Sequence, residues 1–162
     1  MRRVEGAELE KIRPFFEAAG KVALKSTCLR GHCGSVIVKN GIIIGEGYNS
    51  PPLDDEANRT CNEVWDYAKK PKYDKTCCIH AEWRADLDAA KHHPDEIEGS
   101  TLFFMRIDDD GNFTDAGDPY CTTCSRLTLE SGVGEFALWN NGGADIYTTP
   151  EYNSLSYEFY SV

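Results

Sequence analysis

Two short motifs constrain this chain more than anything else in it: His80-Ala81-Glu82, and Pro119-Tyr120-Cys121-Thr122-Thr123-Cys124 about forty residues later. One imidazole and two thiolates fill three of the four tetrahedral positions of a zinc ion, and an open fourth position separates a catalytic zinc from a structural one. Neither motif alone supplies enough ligands, so the fold must bring the two together. Glu82 lies beside the ligands without being needed as one, and a free carboxylate next to metal-activated water is a proton carrier.

The residues around each motif read as helix starts. Ile79, Trp83, Leu87 and Ala90 fall on one helical stripe that Pro94 ends, which puts His80 and Glu82 in a first turn. Cys121 to Ser131 reads as a second helix closed by Gly132. Helical side chains lean towards the N-terminus, so His80 and Glu82 converge on a point in front of it. Cys121 and Cys124 share one helix face, where the positive end of the dipole favours thiolate over thiol. A zinc ion held by such a set lowers the pKa of its water to about 7.

The remaining text supplies a frame. Leu9, Ile12, Phe15, Phe16, Ala19, Val22 and Ala23 predict an amphipathic helix over 7–26, with Pro14 near its first turns. Ser35 to Val38 and Ile42 to Ile44 flank Lys39-Asn40-Gly41, a hairpin signal between β-branched runs. Gly45-Glu46-Gly47 reads as strand-end flexibility, since no second βα unit follows to make it a phosphate cradle. Residues 49–78 are polar, with a short helix expected at Asn62 to Ala68 and a long connection suited to a substrate lid. Thr101 to Ile107 predicts a strand buried on both faces, and the strand, helix, strand order implies parallel pairing. Asp108-Asp109-Asp110-Gly111-Asn112 lacks the alternating ligand register of a calcium loop and reads as turn chemistry. Glu135 to Trp139 is a fourth strand and Ala144 to Thr149 a fifth, while Glu151 to Tyr160 is either a short helix or an extended arm. The sum is a single three-layer α/β domain over residues 1–162, a mixed sheet of four or five strands with helices on both faces.

Charge narrows the partners. A net charge of −10 disfavours a long polyanion, because nucleic-acid affinity comes mainly from Lys and Arg neutralising phosphates. A small nucleotide needs only one or two local cations. The opening residues have no apolar core of signal-peptide length, and the apolar run from Val36 to Ile44 is interrupted by Lys39, Asn40 and Gly41, so a soluble, cytoplasmic protein is expected. Seven cysteines, two of them in the metal motif, fit reducing surroundings, with Cys28, Cys33, Cys61, Cys77 and Cys78 as small buried thiols.

His-x-Glu followed by a later Pro-Cys-x-x-Cys is the signature of zinc nucleobase deaminases. From about Cys28 to Trp139 the chain resembles the cytidine and deoxycytidylate deaminase superfamily. The resemblance is carried by Gly34 to Gly41 through Gly47-Tyr48-Asn49-Ser50-Pro51, by Cys78-Ile79-His80-Ala81-Glu82, and by the Cys121 motif, the first stretch looking like the deoxycytidylate branch. It implies the three-layer α/β/α cytidine deaminase-like fold, with His80, Cys121 and Cys124 as zinc ligands, Glu82 as proton shuttle, and Asn49 and Ala81 as substrate contacts. The implied reaction is hydrolytic deamination of a cytosine nucleotide or nucleoside, with dCMP to dUMP plus ammonia as first guess, in a homo-oligomer. Deamination of a purine or other amino-heterocycle is the second enzyme reading, and a non-catalytic zinc-stabilised binding module the alternative from another class. Some deoxycytidylate deaminases hold a second, structural zinc, and Cys28 and Cys61 fall where two of its ligands would lie, with Cys77, Cys33 or His32 to complete it. Three departures stand out: Tyr120 displaces Pro119 from its usual place before the first cysteine, an acidic turn runs from Asp108 to Asp118, and Ser131 to Trp139 carries glutamate and tryptophan in place of basic residues and tyrosine. Arg59, Arg106 and Arg126 are the candidate phosphate contacts.

Overall fold

Alternation of apolar side chains decides the sheet. In β2 (His32–Lys39) Val36 and Val38 face one side and Ile37 the other; in β4 (Thr101–Ile107) Phe103, Met105 and Ile107 share the first side, Leu102 and Phe104 the second. Each face therefore carries its own apolar set and needs its own helical cover. The computed structural model, which describes residues 1–61 and 77–159, supplies both layers. Helix α1 (Gly6–Ala23) lays Leu9, Phe16, Ala19 and Val22 on the first face, and α2 (Ala81–His92) lays Ala85 and Ala89 on the second.

The other elements are β1 (Arg2–Val4), β3 (Ile42–Tyr48), β5 (Phe113–Thr114), α3 (Thr122–Ser131), β6 (Glu135–Asn140), β7 (Gly143–Thr148) and α4 (Thr149–Glu158). The sheet runs β1-β7-β6-β4-β2-β3, with β5 on the end of β4. The expected five strands are all present, and the short β1 and β5 extend them to seven. The hairpin forms as expected, with Lys39 opposite Ile42 and both Asn40 (φ 51°) and Gly41 (φ 78°) in the left-handed region that a two-residue turn requires.

The structure corrects some expectations, on strand pairing and Pro14, and decides or bears out others, on the tail and the Asp108 turn. β3 and β4 flank β2, each antiparallel to it, so the strand–helix–strand unit around α2 makes no parallel pair; the parallel neighbour of β4 is β6, reached through α3. Pro14 sits in the interior of α1 rather than near its start, on the exposed side, where the missing N–H leaves a carbonyl to water. The tail is helical, because Thr148 caps α4 by accepting from the Glu151 N–H at 3.3 Å and Pro150 suits the first turn. The Asp108 carboxylate closes its own turn, accepting from the N–H groups of Asp110 (3.0 Å) and Asn112 (2.8 Å). The expected helix at Asn62 to Ala68 lies outside the described residues, as does half of the connection suited to a lid.

Gly45 and Gly47 also have a different role from the one expected. A Cβ on Gly47 would lie 2.1 Å from the Ala81 carbonyl oxygen, and one on Gly45 would lie 2.4 Å from that of Ala85. These glycines let α2 press its backbone onto β3, which sets where the first turn of α2 lies. Gly47→Ala is expected to destabilise the protein by about 1–3 kcal/mol in urea unfolding, because both obstructing groups are backbone. Gly31→Ala, with nothing within 4 Å of its Cβ position, is the control and is expected to stay within about 0.5 kcal/mol.

Candidate metal centre

Both motif helices begin at a ligand. His80 is the N-cap of α2, one residue ahead of the first turn, and follows directly on the bridge that ties Ile79 to Ser50. Cys121 is the N-cap of α3, with its Sγ accepting from the Cys124 N–H at 3.3 Å. The two helices lie side by side on one face of the sheet, joined further along where Ser131 Oγ donates to Asp86 Oδ1 at 2.6 Å. Their N-termini consequently meet.

At that meeting point His80 Nδ1 lies 3.1 Å from Cys124 Sγ and 3.4 Å from Cys121 Sγ. Among the described residues this is the one group of three His, Cys, Asp or Glu side chains whose ligand atoms all lie within 4.8 Å of one another. Trp83 stacks on the His80 ring at 5.1 Å and limits its rotation. The Cys121 thiol is lowered to about 5, chiefly by its hydrogen bond with Cys124 and then by His80, against the opposing effect of burial. Cys124 is pushed the other way by burial and by the neighbouring Cys121 and Glu82. A cation among the three favours both thiolates. One imidazole nitrogen and two sulfurs, with no fourth protein ligand among the described residues, is the donor set of a catalytic zinc site.

Glu82 is 4% exposed and packs against the same two cysteines. Its carboxyl is raised above the usual range, first by burial and then by Cys121, with His80 opposing. Ala81 is the first residue of α2, where a backbone N–H has no intrahelical acceptor. The Asn49 carboxamide is largely engaged: its oxygen accepts from Ser26 Oγ (2.7 Å) and the Cys33 N–H (2.9 Å), and its nitrogen donates to the Gly31 carbonyl at 2.8 Å. It braces the segment leading into β2, and its second N–H makes no hydrogen bond among the described residues.

The three candidate arginines separate clearly. Arg59 is taken by Glu56 at 2.6 Å and by the Thr27 carbonyl, and Arg126 is exposed against its own helix. Arg106 is half-buried next to Cys33 and Tyr120, on the side of the site. The candidates for a second metal also redistribute. Cys28, Cys78, Cys77 and Cys61 interact in sequence as a run, with Cys78 as the member that sequence reasoning left out. His32 instead faces Asp109 at 3.5 Å, and Cys33 faces Arg106. Sequence reasoning also missed Arg84, which donates to Ser50 Oγ at 2.7 Å, stacks 4.9 Å over the Tyr48 ring, and so fastens the Asn49–Pro51 segment to α2.

A three-layer α/β/α sandwich that joins a histidine and a Cys-x-x-Cys pair at neighbouring helix N-termini, beside a buried glutamate, defines a zinc-site protein of the nucleobase deaminase type. The cytidine and deoxycytidylate deaminase zinc-binding region matches residues 9–139, and the chain belongs to that family. Zinc is the cofactor of this binding region, with His80, Cys121 and Cys124 fitted to hold it. The chain is 28% identical over 127 residues to the deoxycytidylate deaminase of Mycobacterium phage D29, covering 74% of this chain and 86% of that protein. It is 26% identical over 129 residues to the deoxycytidylate deaminase of Schizosaccharomyces pombe; the match takes in 76% of this chain but only 34% of the yeast protein's length. Among solved structures the fold is similar to the dCMP deaminase of cyanophage S-TIM5 in complex with dCMP and dUMP, with TM-score 0.55, 24% identity and coverage of 82% and 81% of the two chains. It is also similar to the cytidine deaminase of Burkholderia pseudomallei, with TM-score 0.56, 18% identity and coverage of 86% and 94%.

Metal analysis of reduced, unstripped protein is expected to find about one zinc per chain, and Cys124→Ser to bring it close to zero. A full equivalent surviving in the variant would assign metal to the thiol run instead.

Proposed function

We propose that this protein is a hydrolytic deaminase of a cytosine nucleotide or nucleoside, with deoxycytidine monophosphate as the first substrate. The observation that carries the reading is Glu82: a buried carboxyl, not needed as a ligand, packed against both cysteines of a three-ligand metal site. Burying a carboxyl with no Lys or Arg beside it among the described residues is costly, and a purely structural zinc site has no use for one. The named deoxycytidylate deaminases among its relatives support the same substrate class.

Bound zinc supplies the Lewis acidity that makes water a nucleophile near neutral pH. Glu82 takes the proton released from that water on a carboxylate oxygen. It passes the proton to the ring nitrogen next to the amino-bearing carbon, which makes that carbon electrophilic towards the water oxygen. Once that oxygen is bonded to the carbon, Glu82 takes its second proton and delivers it to the amino nitrogen; the carbon–nitrogen bond breaks, ammonia leaves, and the oxygen stays as the carbonyl. Burial and the neighbouring Cys121 raise the Glu82 carboxyl, which favours its holding a proton between the two transfers. The Ala81 N–H and the remaining Asn49 N–H are the proposed substrate donors, placed by the first turn of α2 and by the brace ahead of β2. Among the described residues no helix is long and apolar enough to cross a membrane. A cytoplasmic setting fits the seven free thiols, and the proposed assembly is a homo-oligomer.

The test is ammonia release from cytosine, cytidine, deoxycytidine and their monophosphates by zinc-loaded protein. Turnover of a monophosphate is expected, and Glu82→Gln is expected to keep zinc and fold while losing about 100- to 10,000-fold in rate. Zinc-loaded protein that turns over none of these but deaminates a purine would move the substrate class. A protein inert on every amine would be the zinc-stabilised binding module.

A further inference from the structure

Arg106 reaches the metal-centre side of the sheet by strand register. It pairs directly with Cys33 across β2 and β4, on the face that carries Leu102 and Phe104 towards α2 and α3. Its Nη2 lies 3.5 Å from the Tyr120 hydroxyl, and its guanidinium also meets the Cys33 thiol. Cys33 and Tyr120 both lie within the field of Glu82, so Arg106 shares two neighbours with the proton shuttle.

Among the described residues no carboxylate pairs with this cation. Among the described residues Arg2, Arg3, Arg13 and Arg59 each pair with a carboxylate, and Arg106 does not. Arg30 and Arg126 are exposed to water, and Arg84 is committed to Ser50, the Pro51 carbonyl and the Tyr48 ring. A guanidinium carries five N–H donors, and a thiol with a phenol at 3.5 Å leaves most of them open. The acidic turn beyond β4 does not fill them. Asp108 closes its own turn, Asp109 is exposed beside His32, and Asp115 accepts from the Asn141 N–H at 2.7 Å. A partly desolvated cation with open donors gains from an anion that takes two of them at once, the geometry in which Arg binds phosphate.

We propose that Arg106 is a specificity-determining residue of the deamination proposed above: held between Cys33 and Tyr120, it binds the phosphate of a nucleoside monophosphate. Tyr120 is its positioning residue. This gives a purpose to the tyrosine that displaces proline ahead of Cys121, since its hydroxyl holds the guanidinium on the side of the site. The inference rests on the deaminase reading for its reaction and adds the phosphate requirement and the residue that reads it.

Steady-state kinetics on deoxycytidine and its monophosphate test it, with zinc content and circular dichroism matched among variants. Arg106→Gln is expected to lower kcat/KM for the monophosphate about 10- to 100-fold, mainly through KM, and by at least about tenfold more than for the nucleoside. Tyr120→Phe is expected to shift the same ratio by a smaller factor in the same direction. If Arg106→Gln does not fold, Arg106→Lys keeps the charge without the fork and is expected to lose part of the discrimination. Equal losses on the two substrates, or no loss on either, would overturn the assignment. Should the unaltered protein deaminate neither compound, the reaction reading fails separately. Equilibrium binding of deoxyuridine monophosphate against deoxyuridine, in unaltered protein and Arg106→Gln, then decides the phosphate contact without turnover.

Discussion

The close approach of His80 to the Cys121 and Cys124 sulfurs is the contact on which the rest of the structure depends. It joins two helix N-termini that begin more than forty residues apart in the chain, and each helix brings only part of a ligand set. Both ends carry partial positive charge from unpaired N–H groups, which favours thiolates and a buried carboxylate nearby. The same concentration of donors and sulfur would be unfavourable without a cation at its centre, so metal binding and the stability of this corner of the fold are coupled.

The sheet makes that contact a matter of backbone geometry. Gly45 and Gly47 bring α2 onto β3 closer than any side chain permits, and the parallel β4–β6 pair requires α3 to cross on the same face. Once both helices are seated, Ser131 and Asp86 join them away from the site, and Arg84 fastens the segment after Asn49 to the first turn of α2. Errors of an ångström at β3 would reach His80 and Glu82 directly, because both sit at the start of the helix that β3 supports.

Charge is distributed unevenly within this acidic protein. Its surface carboxylates engage in turns, caps and exposed ion pairs, each of small energetic weight. Close to the metal centre the balance differs: among the described residues Glu82 is buried with no Lys or Arg paired to it, and Arg106 is half-buried with no carboxylate paired to it. Two uncompensated groups of opposite sign that share neighbours yet do not pair are a poor design for stability alone. They are a reasonable one for holding a ligand that is neutral at one end and anionic at the other.

Local spacing determined a good deal by itself. The helix starts at both motifs, the Asn40-Gly41 hairpin, the doubly buried strand at Thr101–Ile107 and the ligand set of His80, Cys121 and Cys124 all follow from short-range pattern, because caps, turns and periodicity are properties of a few consecutive residues. Tertiary structure decided what depends on pairing between distant segments. The Cys33–Arg106 register across β2 and β4, the placing of β4 beside β2 rather than β3, and the glycine approach of β3 to α2 have no local signature, since a one-residue slip in any strand would turn the same side chains to the opposite face. Arg59, Arg106 and Arg126 look alike as sequence; only the packed chain gives Arg59 a carboxylate and Arg126 open water, and leaves Arg106 half-buried beside the metal centre with no carboxylate partner among the described residues.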